Sequence, residues 1–314
     1  MAYNSIISRS DAAALIPEDV ATDVIGHVVE QSVAANLFRR IPVAQSQTRI
    51  PIIAALPTAY WVNGDTGLKQ TTEVNWANKY LNIEEVAAIV PIPEAVLDDA
   101  SFDVWGEIRP LLEEAIGRVV DAAVFFGANA PASFPPNISG AAAAAGNTVT
   151  EGSVAADGGF ANDIDLVYET VEGDGYDVTA MIAARSTKSK LRRSRTTQGD
   201  RQGDIAPDLM SYLGDPVAYS MRGLFPSGGA AGTSVRLFAG DWSQFMFGLR
   251  QDVTYKILDQ AVIQDAAGVI QFNLAQQDMV AMRVVMRCGW QVANAINYDR
   301  PTDAQRYPVG RLVF

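Results

Sequence analysis

Residues 101–126 have the sequence SFDVWGEIRPLLEEAIGRVVDAAVFF, the longest segment of the chain in which one helical period persists. Apolar residues recur in it at steps of three and four, namely Val104, Ile108, Leu112, Ala115, Val119, Ala122, Ala123 and Phe126. Charged residues fall largely on the opposite side, namely Asp103, Glu107, Glu113, Glu114, Arg118 and Asp121. The pattern predicts a long amphipathic helix that begins at an N-cap, Ser101, and stops at Gly127. About 25 residues at 1.5 Å each would make this helix roughly 37 Å long.

Pro110 lies inside this helix. It has no amide proton, and its ring presses on the carbonyl group four residues earlier, which belongs to Gly106. Because glycine is the least crowded residue for that position, we expect a kinked but continuous helix. The alternative is a separate helix that starts at Pro110 after a turn.

The composition of the 314-residue chain is that of a globular protein, with 48% apolar and 19% charged residues. Its net charge of −12 argues against a general attraction to nucleic acid or to anionic membranes. No segment approaches the roughly 18 uninterrupted apolar residues of a membrane span, and the first residues lack a secretory signal pattern. The single cysteine, Cys288, lies among apolar neighbours and is expected to be a small buried side chain. Together these features predict a soluble protein of a reducing cytoplasm.

Residues 49–93 are dense in β-branched and aromatic side chains, which alternate with polar ones from Thr72 to Tyr80. They predict two long strands joined around Asn63–Gly67. The middle of this hairpin is too polar to hold a lone two-stranded ribbon in a compact core. It either lies as an edge hairpin on its own domain, or projects and is stabilised by a neighbouring subunit.

Residues 127–233 are rich in glycine and proline and contain a five-alanine tract between Gly140 and Gly146. So short a tract cannot sustain an isolated helix, so it predicts a flexible surface segment. Asp163 and Asp165 open an apolar segment and are expected to cap a helix rather than to bind a cation. A short buried strand is predicted at 178–183.

Positive charge is concentrated in residues 184–204, ARSTKSKLRRSRTTQGDRQGD, with Arg192, Arg193 and Arg195 at the centre. One hypothesis is contact with nucleic acid phosphates. The other is pairing with acidic surfaces of the same or an adjoining subunit. The second is favoured, because no aromatic residues interleave to stack on bases and the net charge of the chain opposes a polyanion.

The last third alternates again between apolar and polar residues, at 235–239, 253–258 and 280–286. These segments predict long antiparallel strands that pair with one another and pack on the long helix, with Gly268 in a connecting turn. Side chains of Arg283 and Arg287 lie on the same face of the predicted strand, so one face of the sheet is expected to be polar. The fold class predicted from these elements is α+β.

No phosphate-binding loop, dinucleotide fingerprint, nucleophile elbow, zinc-ligand pair or calcium loop occurs in the sequence. One histidine and one cysteine remove most routes to base-activated nucleophilic catalysis. We therefore predict no catalytic, cofactor-binding or metal-binding residues and favour a structural protein. A hydrolase that uses carboxylates or a metal is the rival from another class.

The order of segments resembles the major capsid protein of tailed bacteriophages, with the Hong Kong 97 fold. Residues 16–43, IPEDVATDVIGHVVEQSVAANLFRRIPV, resemble the opening segment of that family, and Ile92-Pro93-Glu94 resembles the turn before its spine helix. Leu213-Gly214-Asp215-Pro216-Val217 and Ala239-Gly240-Asp241-Trp242-Ser243 are similar to two of its strand motifs. Each motif is weak alone, but their order is specific.

The resemblance implies a division of the chain into six regions. These are an N-terminal arm with a short helix (1–50), an extended β-hairpin loop (51–92), the spine helix of a peripheral domain (93–127), a mainly axial domain (128–233), the long strands of the peripheral domain (234–290), and a C-terminal segment that returns to the axial domain (291–314). Some family members join subunits through a lysine and an asparagine with the help of a glutamate. Because no glutamate occurs between 261 and 314, we do not expect such crosslinks from Lys69 or Lys79 to Asn273.

The function implied is that of a self-assembling shell protein. It would form hexamers and pentamers of an icosahedral phage head around double-stranded DNA, without sequence-specific binding, and would be assembled in the bacterial host cytoplasm. Scaffolding, portal and decoration proteins are possible partners, and no membrane is involved. The alternative is an encapsulin-like nanocompartment shell that holds cargo enzymes. Contacts between subunits are expected at Trp61, Lys69, Trp76, Lys79, Arg192, Arg193 and Arg195.

Overall fold

The structure is a computed structural model that describes residues 32–62, 67–100, 103–154, 157–193, 210–212, 214–220, 223–225, 234–265 and 267–314. Within these ranges the α-helices are α1 (Val33–Leu37), α2 (Glu94–Asp99), α3 (Val104–Phe126), α4 (Ile138–Ala145), α5 (Phe160–Gly173) and α6 (Thr187–Arg193).

The strands in the same ranges are β1 (Arg39–Pro42), β2 (Gln47–Ala55), β3 (Asn75–Asn82), β4 (Glu84–Pro93), β5 (Thr148–Thr150), β6 (Ala180–Ala184), β7 (Ser211–Tyr212), β8 (Asp215–Ser220), β9 (Val235–Gly240), β10 (Phe245–Leu258), β11 (Val262–Gln264), β12 (Ile270–Asn273), β13 (Met279–Val292) and β14 (Val309–Val313). They form a four-stranded sheet in the order β1-β10-β13-β4 and a six-stranded sheet in the order β5-β14-β9-β6-β8-β7. Two further pairs, β2-β3 and β11-β12, stand apart as hairpins. The predicted α+β class is confirmed.

The long helix α3 continues through Pro110, so the alternative of a separate helix starting at that residue is wrong. It ends as predicted at Gly127, which has a left-handed φ of 70° and donates its N–H to the carbonyl of Ala123 at 3.0 Å. Asp103 takes the N-cap position, while the predicted cap, Ser101, lies outside the described residues.

The buried side of α3 is formed by Leu112, Ile116, Val120 and Val124, which pack with residues of β13 in the main core. The predicted apolar stripe includes the buried Leu112 and Ala123 but is wrong at position 119. Val119 is 49% exposed, whereas Val120 is 6% exposed. Because two valines are adjacent, the helical period alone could not decide which one faces the sheet.

Two acidic residues that the pattern placed on the polar side, Glu114 and Asp121, are buried. Asp121 accepts hydrogen bonds from Ser32 Oγ at 2.7 Å, Val33 N at 2.9 Å and Ala34 N at 3.0 Å. The first N–H groups of a helix have no partner within it, so the carboxylate of Asp121 caps α1 across 87 to 89 residues of sequence. This contact ties the first described residues to the middle of α3.

The main core is built around the aromatic side chains Phe38, Phe125, Trp242, Phe245 and Trp290, all nearly fully buried. Phe38 lies 4.9 Å from Phe245 and 6.0 Å from Trp242, and Phe245 lies 6.4 Å from Trp290, measured between ring centroids. The same cluster includes residues of β6, β9 and β13. One core therefore joins the two large sheets, and aromatic pairs at these distances add to the stabilisation by burial.

The strands β10 and β13 are 14 residues long each and pair antiparallel, as predicted. Gly268 has a φ of 82° and lies in the predicted turn, between β11 and β12. The expectation that residues 235–239 would pair with these long strands is wrong, because β9 lies between β14 and β6 in the other sheet. Alternation along a strand shows which side chains share a face, but it does not identify the neighbouring strand.

The alanine tract is also different from the prediction, because it forms the helix α4. Asn137 Oδ1 accepts the N–H of Gly140 at 2.7 Å at the start, and Gly146 ends the helix with a φ of 91°. Ile138 and Ala142 are completely buried in the core. Tertiary packing therefore stabilises a helix that would be too short to persist alone.

The two aspartates at the start of α5 do not cap it, contrary to expectation, since Gly159 takes the N-cap position. Asp163 instead accepts the N–H groups of Gly152 at 3.2 Å and Ser153 at 3.0 Å, and so fixes the preceding loop. Asp165 accepts the hydroxyl of Tyr212 at 2.7 Å.

Candidate functional site

The hairpin formed by β2 and β3 is paired only with itself, from Gln47 opposite Asn82 to Ala55 opposite Asn75. Its strands are shorter than predicted, because the described residues between 56 and 74 form no strand. The predicted turn at 63–67 lies mostly outside the described residues. The antiparallel pairing itself was correctly predicted.

The base of the hairpin is fixed by close contacts with the four-stranded sheet. Leu81 is completely buried. A Cβ atom added to Gly289 would lie 1.9 Å from the carbonyl oxygen of Asn82, so only glycine allows this approach. Gln291 also donates its side-chain amide to the carbonyl of Tyr80 at 2.8 Å. The hairpin is therefore rigidly attached at one end.

Beyond this base, the hairpin exposes large apolar side chains. Trp61 is 101% exposed, Leu68 89% and Trp76 70%. Ile53 and Tyr60 are each more than 40% exposed, as is Tyr80 at the base. Exposed apolar groups of this size on one hairpin are typical of a surface that another molecule covers.

Lys69 and Lys79, the two lysines singled out in the hairpin, have different surroundings. Lys69 is exposed, whereas Lys79 is half-buried. Burial lowers the pKa of Lys79, the nearby carboxylate of Asp303 opposes this shift, and the guanidinium of Arg306 adds to it. Lys79 therefore faces the C-terminal segment of its own chain, which is a contact that the sequence did not suggest.

The C-terminal segment that Lys79 faces is organised by Arg306, whose side chain is almost fully buried. Its guanidinium donates to the backbone carbonyls of Asn294 (3.1 Å), Ala295 (3.1 Å), Arg300 (3.1 Å) and Pro301 (2.8 Å), and to Asp303 Oδ1 (3.2 Å). These contacts hold the loop in one shape, since buried carbonyl groups require donors.

Tyr298, on the same loop, donates its hydroxyl to the carbonyl of Pro57 at 2.8 Å, so the loop also supports the hairpin. Sequence reasoning missed both Arg306 and Asp121, because neither lies in a pattern that distinguishes it from the exposed charges nearby.

The basic segment, residues 184–204, contains α6, and its described part ends at Arg193. Arg195 lies outside the described residues. Arg192 and Arg193 are exposed at the end of α6. Lys190 forms an ion pair with Glu151, and Arg236 Nε lies 2.7 Å from the other carboxylate oxygen of Glu151. At least part of this positive charge is thus neutralised within the same chain.

Among the described residues, no three or more His, Cys, Asp or Glu side chains are grouped as they would be around a metal ion. Cys288 is buried as predicted, and burial raises the pKa of its thiol to about 12. In the part of the chain that the structure describes, no helix is both long and apolar enough to span a membrane.

Comparisons with known proteins agree with the geometry. A family model described as the phage capsid family matches residues 12–297. The major capsid protein of Staphylococcus phage 80alpha is 25% identical over 285 residues, which cover 88% of this chain and 81% of that protein. A solved structure from Microbacterium phage Oxtober96 is 34% identical, with a TM-score of 0.83 over 98% of this chain and 99% of that one. A structure from Mycobacterium phage Cain is 31% identical, with a TM-score of 0.85 over 98% of both chains.

Proposed function

Because this chain belongs to the phage capsid family and is a major capsid protein, we propose that its copies form hexameric and pentameric capsomers that close an icosahedral head around double-stranded DNA. The observation that carries the proposal is the projecting hairpin with its fully exposed Trp61. An isolated subunit would leave this apolar surface in water, whereas a neighbouring copy in a shell would cover it.

We assign the hairpin surface around Trp61, Lys69 and Trp76 to the contact with the adjacent subunit. All three side chains are exposed and lie on the part of the hairpin that its own chain does not cover. Lys79 lies closer to the base, beside the C-terminal loop of its own chain. Its role would be to set the direction of the hairpin as well as to contact a neighbour.

The two large sheets support a division into a peripheral and an axial domain. The peripheral domain would contain α3 and the four-stranded sheet, and the axial domain would contain the six-stranded sheet. Since β9 belongs to the six-stranded sheet, residues 234–240 would lie in the axial rather than the peripheral domain. The C-terminal strand β14 would return to the axial domain, because it pairs with β9 and β5.

The basic segment with Arg192, Arg193 and Arg195 would contact an adjoining subunit rather than DNA. The ion pair between Lys190 and Glu151 of the same chain supports carboxylates rather than phosphates as the partners of this segment. The net charge of −12 would let DNA move freely inside the shell during packaging.

The protein would be assembled in the bacterial cytoplasm, with scaffolding, portal and decoration proteins as possible partners, and would reside in the virion. The encapsulin-like alternative is not favoured, since the matched family is that of phage capsids.

The test is to replace residues 58–74 by a short Gly-Ser linker, which leaves β2 and β3 in place. Folding should be retained, because none of the described residues among them is part of the buried core. Circular dichroism should show near-native secondary structure, and sedimentation velocity should show no closed shells.

A second variant, Trp61→Ala with Trp76→Ala, should also fail to form shells. The control is Val154→Ala, which truncates a side chain that is 60% exposed elsewhere and should assemble normally. Shells of normal size from the linker variant would refute the assignment of this surface.

A further inference from the structure

The outer face of the four-stranded sheet carries two positive side chains directly opposite each other. Lys256 on β10 is the register partner of Arg283 on β13, and both are exposed. Directly opposite residues have Cβ atoms only about 4.5–5.5 Å apart, and like charges in this arrangement are destabilising. We call these two residues the cation pair.

The cation pair is not neutralised by any described residue of its own chain. Within the described residues, neither Lys256 nor Arg283 forms an ion pair with a carboxylate. The next cation along β13, Arg287, is different, because it lies 2.7 Å from a carboxylate oxygen of Glu85 on β4. The repulsion in the cation pair would be relieved if a negative group from another molecule lay against it.

A complementary surface exists on the same chain. The acidic segment, residues 94–100 and 103–107, contains five carboxylates and no lysine or arginine, with the acidic residues Glu94, Asp98, Asp99, Asp103 and Glu107. All five are exposed, and none forms an ion pair within the described residues. Positive and negative surfaces without partners are thus both present on every copy.

We propose that the cation pair of one subunit docks on the acidic segment of the next copy of this chain. The two surfaces differ, so the contact is head-to-tail, and contacts of this type generate rings when the rotation closes. Apolar side chains lie within both surfaces, because Ile89 beside Arg283 is 43% exposed and Val96 in α2 is 51% exposed. This mixture of charged and apolar groups fits a protein partner.

A phosphate backbone is the other anionic partner that such a surface could meet. The observations favour a second copy, because only two unpaired cations are grouped here and the net charge of −12 repels a polyanion. The inference rests on the proposed function and specifies one contact between neighbouring subunits.

The experiment is a charge exchange. Lys256→Glu with Arg283→Glu should lose sedimenting particles at concentrations where the parent protein assembles, and so should Asp98→Lys with Asp99→Lys. All four substitutions together keep the net charge of −12 and should restore particles. A matched control combines Lys256→Glu and Arg283→Glu with Glu169→Lys and Glu172→Lys, two exposed positions on α5. It has the same net charge and should not restore particles.

A single substitution separates docking from a structural role. Lys256→Glu creates an opposite-charge pair with Arg283, so it should raise the thermal midpoint of the isolated subunit while it weakens assembly. The assembly of the parent should also weaken as salt rises, because salt screens exposed charges.

Three results would overturn the inference. These are normal particles from Lys256→Glu with Arg283→Glu, equal restoration of particles by the control with Glu169→Lys and Glu172→Lys, and particles of Lys256→Glu with Arg283→Glu that have normal size but retain less DNA. The last result would indicate contact with phosphate. If the parent itself formed no particles, the proposed function would fail as well. If the parent formed particles but the variant with all four substitutions did not, this inference would fail and the proposed function would stand.

Discussion

Replacing Arg306 tests how the C-terminal loop is held. In Arg306→Met the side chain keeps a similar length but loses all five donor contacts, four of them to backbone carbonyls. A hydrogen bond to a charged group contributes about 1.5–3 kcal/mol, but contacts of one side chain are not additive. Each buried carbonyl group that is left without a donor costs about 1–3 kcal/mol. We expect a loss of about 3–5 kcal/mol in the free energy of unfolding.

The assay is urea unfolding of the subunit under conditions where sedimentation shows no assembly. Arg300→Met is the control, because that arginine is on the same loop but half exposed, with its Nε 3.8 Å from Asp174. It should cost less than about 1 kcal/mol. Hydrogen exchange should also show faster exchange in residues 294–306 of Arg306→Met. A cost below about 1 kcal/mol for Arg306→Met, or equal costs for both variants, would refute the reasoning.

Three further changes test other contacts. Asp121→Ala should lower the free energy of unfolding by about 2–4 kcal/mol, because three donors lose a charged acceptor. Asp121→Asn should lower it by less, because one acceptor oxygen remains. Urea unfolding of both variants checks these values. Lys79→Met should stabilise the subunit at pH 7, because burial lowers the pKa of Lys79 in the folded state and so penalises its charged form. The difference in stability between Lys79→Met and the parent should shrink as the pH rises from the folded pKa of Lys79 to its ordinary value of 10.5, because the parent gains stability over this range. Equal differences at pH 7 and pH 11 would contradict this. Pro110→Ala should raise the thermal midpoint, because alanine restores a backbone donor inside the helix, whereas Gly106→Leu should lower it, because a side chain at position 106 would crowd the carbonyl on which the ring of Pro110 presses. A lower midpoint for Pro110→Ala would contradict this.

The sequence predicted the elements whose pattern is long and regular. The long helix, its stop at Gly127, the strands β10 and β13, and the turn at Gly268 were predicted correctly, whereas the described helix begins at Val104 after an N-cap at Asp103. The antiparallel pairing of β2 with β3 was also predicted, since the alternation of side chains there is strong. The resemblance to phage capsid proteins came from the order of these segments, and the family match confirms it.

The errors share a physical cause, which is that local pattern does not specify long-range contact. The alanine tract looked too short for a helix, yet it is helical because Ile138 and Ala142 pack into the core. Val119 and Val120 are equivalent in the pattern, and only the position of the sheet decides between them. The partners of β9 were wrong for the same reason.

The periodic pattern of the sequence was enough to predict the long helix α3 and the long strands β10 and β13, because these depend on the spacing of side chains along the chain. The roles of the isolated charges depend on the tertiary structure. Asp121 is buried because backbone N–H groups 87 and 88 residues away need an acceptor, and Arg306 is buried because carbonyl groups of its own loop, up to 12 residues away, need donors. Lys256 and Arg283 are 27 positions apart in the sequence and become a cation pair only through the register of β10 and β13. A charged residue acquires its energetic role from the groups that the fold brings beside it, and no local pattern records them.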